Sequence, residues 1–158
     1  MKQKITSCLL GMGLWAAIGL AYGAERFRYS NDGSEVTDNT TGLVWRRCAE
    51  GMTWSGGTCT GSASTYNHEG ALQRAQTQTI WRLPNVKELS SVVDRSRIYP
   101  AIDPTAFPNT PSGTPFWTSS PIVGYSGNAW YVAFDYGGVG NLNLSYDRSY
   151  NFHVRLVR

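Results

Sequence analysis

A loop-rich α+β fold is what this sequence predicts, on three observations. Apolar and polar residues alternate strictly near the end of the chain, which is the signature of half-buried strands. Two stretches in the middle carry helix-start signals and helical apolar spacing. Elsewhere, short apolar runs are separated by glycine and proline, which suits short strands and excludes a helical bundle. The chain has no internal repeat and no heptad pattern.

The first residues are set aside as a targeting segment. Lys2 and Lys4 form a basic start, Cys8 to Leu20 is an apolar run of 13 residues, and Ala21-Tyr22-Gly23 places small residues where signal peptidase reads. Residues 1–23 therefore read as a secretory signal peptide, with cleavage after Gly23 or Ala24. The run is too short to span a bilayer as a helix. Cys8 opens this run rather than following it, which argues against a lipoprotein. Residues 24–32 are a lead-in, and residues 33–158 are expected to form one domain.

Phe27-Arg28-Tyr29 begins a first short strand, and Asn31-Asp32-Gly33 is a turn signal. Glu35-Val36-Thr37-Asp38 runs extended to a second turn at Asn39-Thr40, and Leu43-Val44-Trp45 is a further strand ending near Cys48. Thr65 to Gln78 reads as the first helix, with Tyr66, Leu72 and Ala75 inward and Gly70 weakening it. In Trp81-Arg82-Leu83-Pro84-Asn85-Val86-Lys87-Glu88-Leu89 the proline pushes Leu83 out of helical space. Asn85 is then a good N-cap, and Glu88 stands three residues on, the spacing of a capping box. Val86, Leu89, Val92 and Val93 give the second helix one apolar face, to about Asp94. Trp81 and Leu83 are expected in the core, and Arg82 in an ion pair. Residues 95–115 hold five prolines and read as an irregular excursion, and Phe116 to Ser120 is a strand. Trp130 to Tyr136, Asn141 to Ser145 and Phe152 to Leu156 alternate around Gly137-Gly138 and Asp147-Arg148-Ser149, so a three-stranded antiparallel meander is expected to close the chain.

Without residues 1–23 the charge falls from +3 to +1, with 12 basic residues against 11 acidic, so nothing points to nucleic acid. Eleven of those basic residues are arginines, suited to planar contacts with carboxylate, sulfate or phosphate or to ordinary surface ion pairs. Cys48 and Cys59 are the cysteines left, an even pair in an exported chain, and a disulfide is expected. No close cysteine or histidine set of zinc-ligand spacing competes with it.

Several pieces now stand in order: Val36 to Cys48, Gly51-Met52-Thr53-Trp54, Cys59-Thr60-Gly61, Trp81 to Leu89, Phe116 to Ser120, Ala129-Trp130-Tyr131-Val132 and Val154-Arg155-Leu156-Val157-Arg158. Together they resemble the Lcl C-terminal domain family, named for a Legionella collagen-like adhesin. That resemblance implies a C-type lectin-like fold: two helices flanking a short antiparallel sheet, with the chain ends together and long loops on one side. The Arg-Leu-Pro turn and the closing Val-Arg-Leu-Val-Arg are also similar to the formylglycine-generating enzymes. Those rely on reactive cysteines late in the fold, and this chain has none after Cys59, so the activity is not carried over.

The resemblance extends to the variable proteins of diversity-generating retroelements. There, adenine-directed mutagenesis enriches Asn, Tyr, Ser, Asp and His near the C-terminus. Nine of the fifteen residues from Val139 to His153 are of these types. Tyrosine and asparagine suit adaptable binding surfaces, because tyrosine offers contact area at low entropy cost. A solvated polar hairpin accounts for Asn and Ser but less well for tyrosines at a turn. The expected ligand-binding set is Asn141, Asn143, Ser145, Tyr146, Asp147, Arg148, Tyr150, Asn151 and His153, with Arg148 and Arg155 placed to meet anionic groups such as acidic sugars.

Catalytic signals are sparse. His68 and His153 are the only histidines, and each reads as a surface or half-buried residue. Neither a Gly-x-Ser-x-Gly elbow nor a phosphate-cradling glycine loop is present. The Glu-Pro-Asn, Gln-Pro-Asp and Trp-Asn-Asp triplets of calcium-dependent lectins are missing. Asp94, Asp103, Asp135 and Asp147 are scattered and read as turn residues or ion-pair partners, so no metal and no cofactor is expected. The leading expectation is an exported module, periplasmic, surface-bound or secreted, that binds an extracellular glycan or protein. It has no membrane span once the signal is cleaved and no nucleic-acid partner. The alternatives are a structural subunit of an envelope or appendage complex, assembled through aromatics such as Tyr125, Tyr131 and Tyr136, a retroelement variable receptor, and, last, an enzyme with an atypical site.

Overall fold

A computed structural model describes residues 25–136, 139–140 and 147–158. Its elements in chain order are β1 (Phe27–Tyr29), β2 (Glu35–Asp38), β3 (Val44–Arg46), β4 (Thr53–Ser55), β5 (Thr58–Thr60), β6 (Thr65–Tyr66), α1 (His68–Gln76), α2 (Val86–Ser91), β7 (Phe116–Ile122), β8 (Tyr125–Val132), β9 (Val139–Gly140) and β10 (Phe152–His153). They form a three-stranded sheet β1-β2-β3, a five-stranded sheet β6-β10-β7-β8-β9 and the two-stranded hairpin β4-β5. Among the described residues no helix is long and apolar enough to cross a membrane. The signal-peptide reading lies outside the described residues.

The helices flank the five-stranded sheet because successive strand residues point to opposite faces. Phe116 and Val132, paired across β7 and β8, pack with Leu89 and Val92 from the α2 side. Trp117 and Tyr131, the next pair, pack with Ala71 and Ala75 of α1 on the other face. The two helices and mostly antiparallel strands make this an α+β arrangement, as the sequence predicts.

The second helix starts where the sequence places it. The Asn85 side chain accepts from the Glu88 N–H at 2.9 Å, and the Glu88 carboxylate accepts from the Asn85 N–H at 2.8 Å. Arg82 grips the same carboxylate through two contacts of 2.7 Å. Trp81 and Leu83 are buried. The helix stops at Ser91 rather than Asp94, because Val93 is drawn into a bridge with Ile102. The first helix is also shorter than its pattern. Thr65–Tyr66 pairs with β10, so the helix starts at His68 behind an Asn67 cap.

The closing meander is corrected. β10 does not continue the β8-β9 edge: it lies between β6, antiparallel, and β7, parallel through His153 and Phe116. The following residues bridge Val157 to both Trp45 and Arg82, which ties the C-terminus to β3 and to the Trp81–Leu83 segment. Flanked on both sides, this segment is buried on both faces, and every residue from Phe152 to Val157 is inside. A one-sided alternation of Phe152, Val154 and Leu156 against His153 and Arg155 is therefore not what forms. β8 is likewise displaced from the expected Trp130–Tyr136 to Tyr125–Val132, because β7 pairs with its polar first half. The expected strand Asn141 to Ser145 lies outside the described residues.

The disulfide Cys48–Cys59 is present, with Cα atoms 5.4 Å apart. It ties the end of β3 to the hairpin β4-β5, which turns on Gly56-Gly57, both at positive φ. Glycine is required at Gly51, whose φ is +89° and where a Cβ would sit 2.5 Å from the Ser64 backbone nitrogen.

Candidate functional site

The described end of the expected binding tract is a turn laid against the edge of β8. Asp147 bridges to Asn128, and the Arg148 N–H donates to the Gly127 carbonyl at 2.9 Å. The Asp147 carboxylate accepts from the Ser149 N–H at 2.9 Å, and its carbonyl accepts from the Tyr150 N–H at 3.0 Å. This Asx-type turn lets Asp147, Tyr150 and Asn151 stand exposed while their backbone is satisfied. Tyr150 is 52% exposed and its ring leans on Phe152, with centroids 6.3 Å apart.

Arg148 is half-buried. Its Nε donates to the Asn128 carbonyl at 3.2 Å, and its carbonyl accepts from the His68 N–H at 2.8 Å. The turn is thus pinned to both β8 and the start of α1. Between the Tyr131–Gly140 and Asn128–Asp147 pairings, β8 spans three residues and the returning chain seven. Asn141, Asn143, Ser145 and Tyr146 fall in that interval and lie outside the described residues.

His153 is placed differently from its turn neighbours. It is buried, its Nδ1 lies 3.1 Å from the Ser64 carbonyl, and its ring packs against Phe116. Burial holds its pKa below the ordinary histidine value. Arg155 is corrected outright as an anion contact, since it is fully buried. Its guanidinium donates to the Arg46 and Arg47 carbonyls and to the Thr110 hydroxyl, and it lies over the Phe107 and Phe116 rings. Burial pulls its pKa down to about 9, so it is still a cation at neutral pH.

His68, read as a surface or half-buried residue, is buried as well. Its Nε2 lies 2.9 Å from the Thr118 carbonyl, and its ring meets Trp117 edge to face. Burial, with a smaller contribution from the Arg148 charge, lowers its pKa. Each of the four scattered aspartates serves a local turn. Asp94 holds Ser96 and Arg97, Asp103 accepts from the Thr105 and Ala106 N–H groups, Asp135 accepts from the Tyr136 N–H, and Asp147 accepts from the Ser149 N–H. Among the described residues no three His, Cys, Asp or Glu side chains group as a metal site. Of the tyrosines expected as assembly anchors, Tyr125 and Tyr136 are exposed, and Tyr131 is buried in the sheet.

One concave feature carries no sequence signal. Glu35, Arg46, Glu50, Trp54 and Trp81 converge on a cavity of about 200 Å³ between β3, the β4-β5 hairpin and the segment after α1. These residues are scattered in sequence, so only the disulfide and the sheet bring them together.

The family model described as the Lcl C-terminal domain matches residues 34–158. A comparison with curated proteins finds no match.

Proposed function

The chain belongs to the Lcl C-terminal domain family, and from that membership we propose that it is an exported adhesion-type module. It recognises an extracellular glycan or protein through its C-terminal polar tract, on a C-type lectin-like scaffold. The family is adhesin-associated, which is compatible with a surface adhesion module. The observation that carries the residue assignment is the turn at Asp147–Asn151. There, three side chains project from a backbone that β8 and α1 hold in place, immediately before a segment buried on both faces.

In this reading Asp147, Tyr150 and Asn151 make direct contacts, joined by Asn141, Asn143, Ser145 and Tyr146. Arg148 commits its Nε to the Asn128 carbonyl and offers its terminal nitrogens to acidic groups. His153 supports the turn from inside rather than touching ligand. A rigid backbone carrying adaptable polar and aromatic side chains lowers the entropy cost of binding.

The test is a glycan array together with pull-down from host-surface or envelope extracts. It compares the purified protein with the triple variant Asn143→Ala/Tyr146→Ala/Tyr150→Ala. Loss of the bound set in a folded triple variant is expected. Unchanged binding overturns the site assignment.

A further inference from the structure

His68 links the start of α1 to the turn at Asp147–Asn151. Its backbone N–H is the first of the helix, has no acceptor within α1, and donates to the Arg148 carbonyl at 2.8 Å. Its ring is 2% exposed and sits against β7. A carbonyl only accepts, so the 2.9 Å contact with the Thr118 carbonyl puts the ring proton on Nε2. Nδ1 has no hydrogen-bond partner among the described residues. The neutral ring therefore fits, whereas an imidazolium would carry a second N–H with nothing to accept it. The charges nearby oppose protonation as well. From the turn the ring faces the Arg148 guanidinium, and on its own helix it has Glu69, which is exposed. β7 presents the Thr118 carbonyl and the Trp117 indole, neither of which titrates, and Tyr66 of β6 lies beside Gly70 instead. A cation at the first residue of a helix also meets the positive end of the helix dipole. Burial lowers the pKa of the ring most, the Thr118 carbonyl raises it, and the Arg148 charge lowers it by more than Glu69 raises it.

We propose that His68 is an acid-sensitive latch on the C-terminal tract: its protonation frees the Asp147–Asn151 turn from α1 while the sheet stays folded. The turn is the element near the ring that opens most easily. Its other attachments go to the polar half of β8: the Asp147–Asn128 bridge, the Arg148 N–H to the carbonyl of exposed Gly127, and the Arg148 Nε to the Asn128 carbonyl. Asp147, Tyr150 and Asn151 are already exposed, so lifting the turn uncovers little apolar surface. It does uncover the ring on the side that Arg148 covers, and a charged ring gains water there without the sheet opening. His153 is placed differently. Its ring is held between β6 and β7, with Ser64 accepting and Arg155 as the facing charge, so its protonation loads the whole fold rather than the turn. The consequence for ligand, release at mildly acidic pH, rests on the turn being part of the binding tract; the opening of the turn does not.

The experiment measures amide hydrogen exchange by NMR in the purified protein without ligand, from about pH 7.5 to about pH 5, as protection relative to the intrinsic rate at each pH. The His68 and Arg148 amides donate across the latch and from the turn to β8. Both should lose protection by about tenfold or more over that range, since one coupled proton changes an opening constant by up to about tenfold per pH unit. The loss should be insensitive to low urea, the mark of a local opening. His68→Gln keeps a donor toward the Thr118 carbonyl without titrating, and should flatten the pH dependence of the Arg148 amide. His153→Asn should leave that dependence in place. Protection that is independent of pH, that is lost only with the full urea dependence of global unfolding, or that falls equally in His68→Gln overturns the proposal. The first two readings need no variant. Because no ligand is present, failure here leaves the assigned binding residues standing, and failure of that assignment leaves the latch standing.

Discussion

Arg155 and Arg47 show what this chain does with arginine. Neither has a carboxylate partner among the described residues. Arg47 donates to the carbonyls of Gly33, Thr105 and Ala106 and stacks between Tyr29 and Trp54. Arg155 does the same for Arg46, Arg47 and Thr110 from the centre of the molecule. Each joins stretches that no ladder connects, such as the turn after β1 and the loop before β7. A guanidinium suits this because its planar fork serves several acceptors at once and is less strongly hydrated than an ammonium. Replacing Arg155 with Met keeps most of the volume and relieves a buried charge but strands the acceptors. An unsatisfied buried acceptor costs about 1–3 kcal/mol, so the net loss for Arg155→Met should be roughly 2–4 kcal/mol. Arg155→Lys should recover only part of it, because an ammonium cannot reproduce the fork. A urea midpoint unchanged in Arg155→Met would contradict this. Nothing in the local sequence marks these two arginines as internal; both sit in runs that read as strand ends.

At the scale of elements, the α2 start was legible residue by residue. Proline stop, asparagine cap and glutamate return are local chemistry, and Asn85 and Glu88 meet as the spacing predicts. The disulfide was legible too, from compartment and an even cysteine count. The cysteines are 11 apart in sequence, and closing so short a loop removes a modest part of the unfolded chain's entropy. Cys48→Ala/Cys59→Ala should therefore lose about 2–3 kcal/mol in a reversible denaturation experiment. A loss near zero would mean the hairpin holds itself. The hairpin β4-β5 is not among the strands the sequence pattern predicts, although Gly56-Gly57 between Trp54 and Cys59 is the two-glycine signal of a tight turn. Its polar flanks hid it, since Thr and Ser give no apolar alternation. The helical pattern starts α1 at Thr65 where the structure starts it at His68, for the opposite reason. Tyr66 fits a helical stripe, yet β10 offers Thr65–Tyr66 a ladder, and tertiary pairing outweighs a few tenths of a kcal/mol of propensity.

In the whole molecule, the closing segment acts as a keystone, touching β3, β6, β7 and the Trp81–Leu83 turn. It also buries the histidine that the pattern placed on a polar face. His68 and His153 both have pKa values held below the ordinary 6.5, chiefly by burial. The unfolded chain therefore binds protons near pH 6.5 that the folded chain refuses, so the unfolded state holds more protons and stability rises with pH through that window. Stability is complete above 6.5 and falls as the pH drops below it. At lower pH Glu88, held below its usual value chiefly by its hydrogen bond to Arg82, adds a further loss as it is protonated. The urea midpoint should fall steadily from about pH 7.5 to about pH 5; a flat or rising profile over that range would contradict the neutral, buried state of the two rings. The sequence by itself determined the α+β class, the family, the cap of α2, the disulfide and the turn character of the aspartates. Each of these rests on neighbours in the chain or on cysteine count and compartment. Only the tertiary structure decided that the last strand inserts between β6 and β7, that Arg155 and His153 turn inward, and that Glu50, Trp54 and Trp81 line one cavity. Those outcomes depend on which distant segments pair, and a two-residue strand such as β10 takes its place from its neighbours' edges rather than from its own pattern.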